Sequence, residues 1–203
     1  MLADLNSVDW ASLTHAYGEA TDIPGLLRSL LSADPKVREE AIYELFGNIW
    51  HQGTVYPASA AAVPFLYELL TAPDVQDKPK IAHLLASIAT GVGYLEVHAV
   101  GDFGEPTWRK ILAKDGKSLE DELAREAAEI NLVRRAASAG LQQLLPYLSD
   151  HEAEIRRSVA AALGNYPEHM AWSLPAIDAA LVAETDEKVR EALEESRARL
   201  TRR

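Results

Sequence analysis

Asp34-Pro35-Lys36-Val37-Arg38-Glu39 returns near the C-terminus as Asp186-Glu187-Lys188-Val189-Arg190-Glu191. The hexad reads as the opening of a helix. Asp34 is an N-cap, whose carboxylate can accept from orphan backbone N–H groups. Pro35 takes the first helical position, where a missing N–H does no harm. Ala41 and Leu45 then continue an apolar stripe at helical spacing, with Gly47 beyond. Asp150 to Leu163 is a further copy, with Ile155-Arg156 in place of Val-Arg and Val159 and Leu163 behind. A degenerate copy begins at Asp74, where Ile81, Leu85 and Ile88 keep the stripe but Asp77-Lys78 replaces Val-Arg. In this register Val37 and Val189 are expected to be buried between helices.

A second pattern precedes the first. Ile23-Pro24-Gly25-Leu26-Leu27 returns 40 residues later as Val63-Pro64-Phe65-Leu66, and again as Leu174-Pro175-Ala176-Ile177. Each version carries apolar residues at helical spacing, so each predicts a helix with one buried stripe. Composition agrees. The 203 residues include 33 Ala and 27 Leu but only 29 Val, Ile and Thr together. Ala and Leu lose little on entering a helix, whereas strands favour the β-branched residues scarce here. The expected class is all-α.

Paired helices with a period near 40, the second opening on Asp-x-x-Val-Arg, resemble the HEAT family of α-helical repeats. Three stretches are more narrowly similar to actinobacterial-type HEAT-repeat proteins. They are Trp10-x4-His15-Ala16-Tyr17-Gly18, Asn48 to Pro57, and Leu141-Gln142-Gln143-Leu144-Leu145-Pro146-Tyr147-Leu148. The resemblance spans residues 10 to 195 and implies an α-α superhelix, a solenoid of four to five helical pairs forming one domain over 1–203. Such repeats serve many functions, so the likeness carries fold rather than chemistry.

The expected layout begins with a capping helix over Ser7 to Tyr17. Helix pairs follow over Ile23–Leu31 and Pro35–Trp50, then over Ala58–Leu70, kinked at Pro64, and Val75–Thr90. From Gly91 to Lys117 the repeat breaks. The stretch holds five glycines and shows no helical period, so an insertion loop is expected, with Tyr94 to Val100 extended. A helix over Ser118–Ala139 opens on the capping-box sequence Ser118-Leu119-Glu120-Asp121. The last pairs are Leu141–Leu148 with Glu152–Gly164, and Ser173–Ala183 with a charged capping helix over Glu187–Leu200.

Charge and residue types bound the chemistry. There is no cysteine, which excludes disulfides, thiolate nucleophiles and Cys-based metal sites. The six histidines show no i,i+4 pair and no His-Glu-x-x-His; His151-Glu152 occurs once, so the di-iron hydroxylases of HEAT type are not matched and neither metal nor cofactor is expected. No apolar run reaches the roughly 20 residues of a membrane span, and the N-terminal stretch lacks the basic and apolar regions of a signal peptide, so a cytoplasmic protein is expected. Net charge is −11, all of it within residues 1–183. A surface so acidic repels phosphate backbones, which argues against nucleic acid and against the HEAT-like alkylated-DNA glycosylases, whose grooves are basic. It favours another protein with a basic surface. A secreted toxin partnered by an immunity protein is the specialisation that the resemblance suggests.

Candidate binding residues fall in two groups. Asn48, Trp50, His51, Gln52 and Tyr56 form a polar–aromatic stretch after the second helix of the first pair. In a structural role, His51 or Thr54 would instead satisfy nearby backbone and Tyr56 would pack on the next unit. His98, Asp102 and Trp108 sit in the insertion. Gly91-Val92-Gly93 and Gly101-Asp102-Phe103-Gly104 lack the strand-to-helix setting of a phosphate loop. The expected function is a non-enzymatic interaction module, gripping its partner through second-helix side chains and the insertion. The competing reading is an enzyme or small-ligand-binding protein with residues 91–117 as a lid, which requires a pocket between the insertion and the aromatic stretch at Trp50–Tyr56.

Overall fold

The computed structural model describes residues 1–202. The chain is all-α apart from two minute hairpins. Its N-terminus is not the expected helix: 3-10 turns at Ala3–Ser7 and Trp10–Ser12 lead into strands β1 (Thr14–His15) and β2 (Gly18–Glu19). The β-branched Thr14 and the left-handed Gly18 (φ 131°) suit a tight reversal better than a helix. Leu2, Leu5 and Trp10 still close the end of the core.

Helices α1 (Ile23–Ser29) and α2 (Pro35–Asn48) follow, then a second hairpin of β3 (Trp50–His51) and β4 (Thr54–Val55). Helix α3 (Pro57–Thr71) carries Pro64 in its interior, and α4 runs over Lys78–Ala89. The degenerate copy is shifted relative to expectation. Its N-cap is Asp77 rather than Asp74, held left-handed at φ 52°, a region that Asp enters more readily than most side chains. The last four helices are α7 (Leu119–Gly140), α8 (Ala153–Gly164), α9 (Met170–Ala183) and α10 (Glu187–Thr201), with a long 3-10 segment at Leu141–Ser149 between α7 and α8. Ser118 caps α7 as expected, its hydroxyl accepting from Asp121 N.

Helices α8 and α10 pack extensively on one another, as do α4 and α8, and α3 and α7; α2 meets α4 less extensively. One apolar cluster runs from Leu2 to Leu200. The arginine of the hexad has a shared task. Arg38, Arg156 and Arg190 each stand four residues past a helix N-cap and donate Nη1 to carbonyls of the loop just before it and, for Arg190, also of the last turn of the preceding helix. Arg38 reaches Ser32 and Ala33, Arg156 reaches Asp150 and His151, and Arg190 reaches Leu181 and Glu184. Two of them also grip the following unit: Arg38 bonds Asp77 at 2.6 Å, and Arg156 bonds Glu184 through Nε and Nη2 at 2.7 and 2.9 Å. The loop carbonyls are thereby satisfied without water, and the units are tied together.

The hexad's valines diverge. Val189 and its counterpart Ile155 are 1% exposed, but Val37 is 38% exposed, against expectation. Because α2 meets α4 over a shorter stretch, its first turn stands clear, and its buried stripe begins at Ala41.

Residues 91–117 also differ from the expected loop. They form α5 (Tyr94–His98) and α6 (Gly101–Lys114), so of the stretch expected to be extended only Val100, the N-cap of α6, is. Leu95, Ala99, Leu112 and Leu119 make a small core of their own, with Trp108 and Leu123 against it. These apolar residues are widely spaced among glycines, which hides the helical period.

Candidate binding cleft

The two hairpins and the insertion meet along one side of α7. Ala16 N donates to Asn48 O, which fixes the first hairpin to the end of α2. Beside it His15 Nδ1 accepts from Tyr17 N, leaving Nε2 to donate to Asp22 Oδ1 at 3.0 Å. Asn48 Nδ2 donates to the other oxygen of Asp22 at 2.7 Å. Asn48 is thus buried and engaged in the frame. The second hairpin gains a third rung from Val92, through Val55 N to Val92 O and Val92 N to Gly53 O, each 3.0 Å. A β-carbon on Gly91 would lie 2.2 Å from Val55, so the close approach needs glycine there.

Gly91-Val92-Gly93 follows α4 rather than a strand and opens the short α5, so it lacks the strand-to-helix setting of a phosphate loop, and the N–H groups at the start of α5 are already taken. The Glu126 carboxylate accepts from Leu95 N (2.8 Å) and Glu96 N (2.9 Å). This cap docks the insertion on α7. It also excludes a side chain at Gly93, whose β-carbon would sit 2.2 Å from Glu126.

A cleft of about 420 Å³ results. Thr14, Ala16, Val55, Tyr56 and Pro57 form one wall, Tyr94, Leu95 and Trp108 the second, and Glu122, Arg125, Glu126 and Glu129 of α7 the floor. The Tyr94 ring stacks on His98 at 4.1 Å and meets Trp108 edge-on at 5.6 Å. The Tyr56 hydroxyl donates to Thr54 Oγ1 at 2.8 Å, since that oxygen's own proton goes to His51 O, and burial raises the phenol above its ordinary value. Arg125 bridges Glu122 and Glu129 at 2.6 Å each. The hydrogen bond from Arg125 holds the Glu122 carboxyl below the usual range, so it stays ionised. Lys117 Nζ also lies 3.5 Å from Glu122, so three carboxylates face one guanidinium and one ammonium, and the floor keeps a net negative charge beneath aromatic walls, a setting suited to a cation.

The eight sequence candidates separate. Tyr56 and Trp108 line this cleft, and His98 supports it through Tyr94. His51, half-buried, lies 3.2 Å from Gly47 O and 3.3 Å from the Tyr17 hydroxyl, while Thr54 Oγ1 donates to His51 O at 2.7 Å, which is the structural role weighed for this loop. Trp50 packs on Phe46, and its indole nitrogen is buried without a hydrogen-bond partner. Gln52 is exposed at the hairpin turn (φ 51°), and Asp102 is exposed in the first turn of α6. Sequence reasoning missed Tyr94 and the α7 carboxylates. Glu122, Glu126 and Glu129 recur at spacings of four and three, which marks one helix face and was the available signal.

Among the described residues no helix is long and apolar enough to cross a membrane. No protein-family model matches the chain, and no curated protein matches it. Two engineered proteins solved by the Northeast Structural Genomics Consortium align with it. One is 23% identical, covering 89% of this chain and 79% of its own, with a TM-score of 0.39. The other is 21% identical, covering 88% and 81%, with a TM-score of 0.36. Likeness at that level carries no argument about function.

Proposed function

We propose that the chain is a non-enzymatic interaction module of the HEAT-like, α-solenoid kind, acting in the cytoplasm without metal or cofactor. In this reading it holds a basic segment of another protein in the cleft between the hairpins, the insertion and α7. The observation that carries it is the pairing of Tyr56, Tyr94 and Trp108 with the carboxylates of α7 in one cleft of about 420 Å³. Aromatic faces attract cations through their quadrupole, and each such contact contributes about 0.5–2 kcal/mol as water is excluded. The net charge of −11 steers a basic partner toward the chain. The solenoid arrangement draws on the serial helix pairs and on the arginine ties between them. A toxin would be one partner of this kind.

Wild type and a Tyr94→Ala/Trp108→Ala variant, each immobilised, should differ in what they retain from cytosol. Basic proteins enriched on wild type should be lost from the variant, and the loss should deepen with Glu129→Gln. Identical retention by both would overturn the reading. The same cleft also favours a second reading, because it unites the insertion with Tyr56 as a lid over a small ligand requires. A small organic cation that quenches Trp108 fluorescence saturably, with no protein retained, would move the assignment to that class.

A further inference from the structure

The opposite character appears one face round on α7. Asn131, Arg134, Arg135 and Ser138 stand at i, i+3, i+4 and i+7 and line a cleft of about 480 Å³ with Glu168 and His169. In a chain with 31 acids, eight arginines are ion-paired: Arg38, Arg109, Arg125, Arg156, Arg157, Arg190, Arg197 and Arg199. Arg134 and Arg135 are adjacent, and among the described residues no carboxylate lies within 4.0 Å of either guanidinium. Arg134 is nevertheless held in place. Its Nη2 donates to Asn165 O at 2.7 Å, and its guanidinium lies 4.8 Å from the centre of the Tyr166 ring. Tyr166 is itself fixed, buried and donating to Ala89 O at 3.1 Å.

Ser138 Oγ lies 2.7 Å from His169 Nε2, and His169 packs on Trp172 with ring centres 5.1 Å apart. With the imidazole proton on Nε2, His169 donates to Ser138, whose own hydroxyl proton then turns to an acceptor in the cleft. Two guanidinium groups, an amide and, in that tautomer, a hydroxyl are the donors of an oxyanion site, and Glu168 is the single carboxylate on its wall. We infer that this cleft binds a tetrahedral oxyanion, a phosphate group either free or as a small monoester, through Arg134, Arg135 and Ser138. The inference is independent of the cation cleft, which lies on the other face of the helix.

The test is titration with inorganic phosphate and, separately, phenyl phosphate, followed by amide chemical shifts at 150 mM salt. Saturable shifts confined to residues 131–139 and 166–169 are expected. Saturation by both probes would assign a monoester site, and saturation by inorganic phosphate alone a free-anion site. Arg135 is exposed, so Arg135→Ala should fold normally; losing a charge-assisted hydrogen bond should weaken binding about tenfold or more. Ser138→Ala should weaken it about threefold and Glu168→Gln tighten it by a similar factor. Absence of saturation with either probe, or equal affinity in wild type and Arg135→Ala, would overturn the site.

Discussion

The main body and residues 91–117 are both helical, but they are held by different means. In the body one apolar cluster extends from Leu2 to Leu200, and arginines at a fixed helix position tie loops and neighbouring units. In the insertion four buried residues make a separate small core, and docking depends on the Glu126 carboxylate capping α5. The contrast teaches that stability and recognition are divided. A large shared core resists local opening, whereas a small satellite tied by few contacts can open without unfolding the rest. The proposed cation cleft lies on the seam between them.

The largest effect expected is within the body. Val189 is 1% exposed, so Val189→Asp would carry a carboxylate into the core and should destabilise by about 4 kcal/mol or more. Val37→Asp, at the same position of the hexad, should change stability by less than about 1 kcal/mol, since that side chain already meets water. Urea denaturation of the two variants compares them directly. Equal losses would show that the first helix pair is packed as tightly as the last.

Next comes the tie between α8 and the loop after α9. The Glu184 side chain is 6% exposed and accepts from Arg156, Thr185 N and Asp186 N. The Arg156 hydrogen bond chiefly lowers its pKa to about 2, from 4.5. A carboxyl depressed in the folded state contributes stability that is complete above the unfolded pKa. That contribution is lost as pH falls from about 4.5 toward 2. Screening on the Arg156 side, which is 16% exposed, reduces the contribution to about 2 kcal/mol at pH 7. Glu184→Gln should therefore lower the thermal midpoint at pH 7 and change it far less at pH 2. A deficit of the same size at both pH values would remove the ion pair from the account.

How much of this division could be read from sequence follows from what each region repeats. The body repeats itself, so Asp34 and Asp186, the stripes behind them and the Ser118 cap were legible, and so was the all-α class. The arginine's reach to Asp77 and Glu184 was not, because one partner falls 39 residues downstream and the other 28, with no common motif. Val37 was misjudged because a local register does not reveal how far a neighbouring helix extends. The insertion occurs once, and its glycines look like a loop's. Gly91 and Gly93 are there for close packing against Val55 and Glu126, and not for a turn. Tyr56 and Trp108 were found as chemically suitable residue types, while Tyr94 and the acids of α7 joined them only through the docking that Glu126 provides.

The smallest global effect should come from breaking that docking. Gly93→Ala places a β-carbon 2.2 Å from Glu126 Oε2 and 2.7 Å from Ile130 Cδ1. Glu126 can retreat only by releasing the N–H groups of Leu95 and Glu96, so relief of the clash costs the cap. The penalty falls on the link between α5 and α7, and the body's cluster does not include Leu95 or Leu112. Local opening should become easier by about 1–2 kcal/mol, while the global midpoint moves by less than about 1 kcal/mol in free energy. Hydrogen exchange reads the two quantities separately. Amides of residues 94–114 should exchange about tenfold faster in Gly93→Ala, and those of α8 and α10 should keep the wild-type rate. Acceleration spread evenly over both regions would mean that the insertion and the body open as one unit. In that case the cleft between them would be a rigid groove and not a seam that adjusts to its partner.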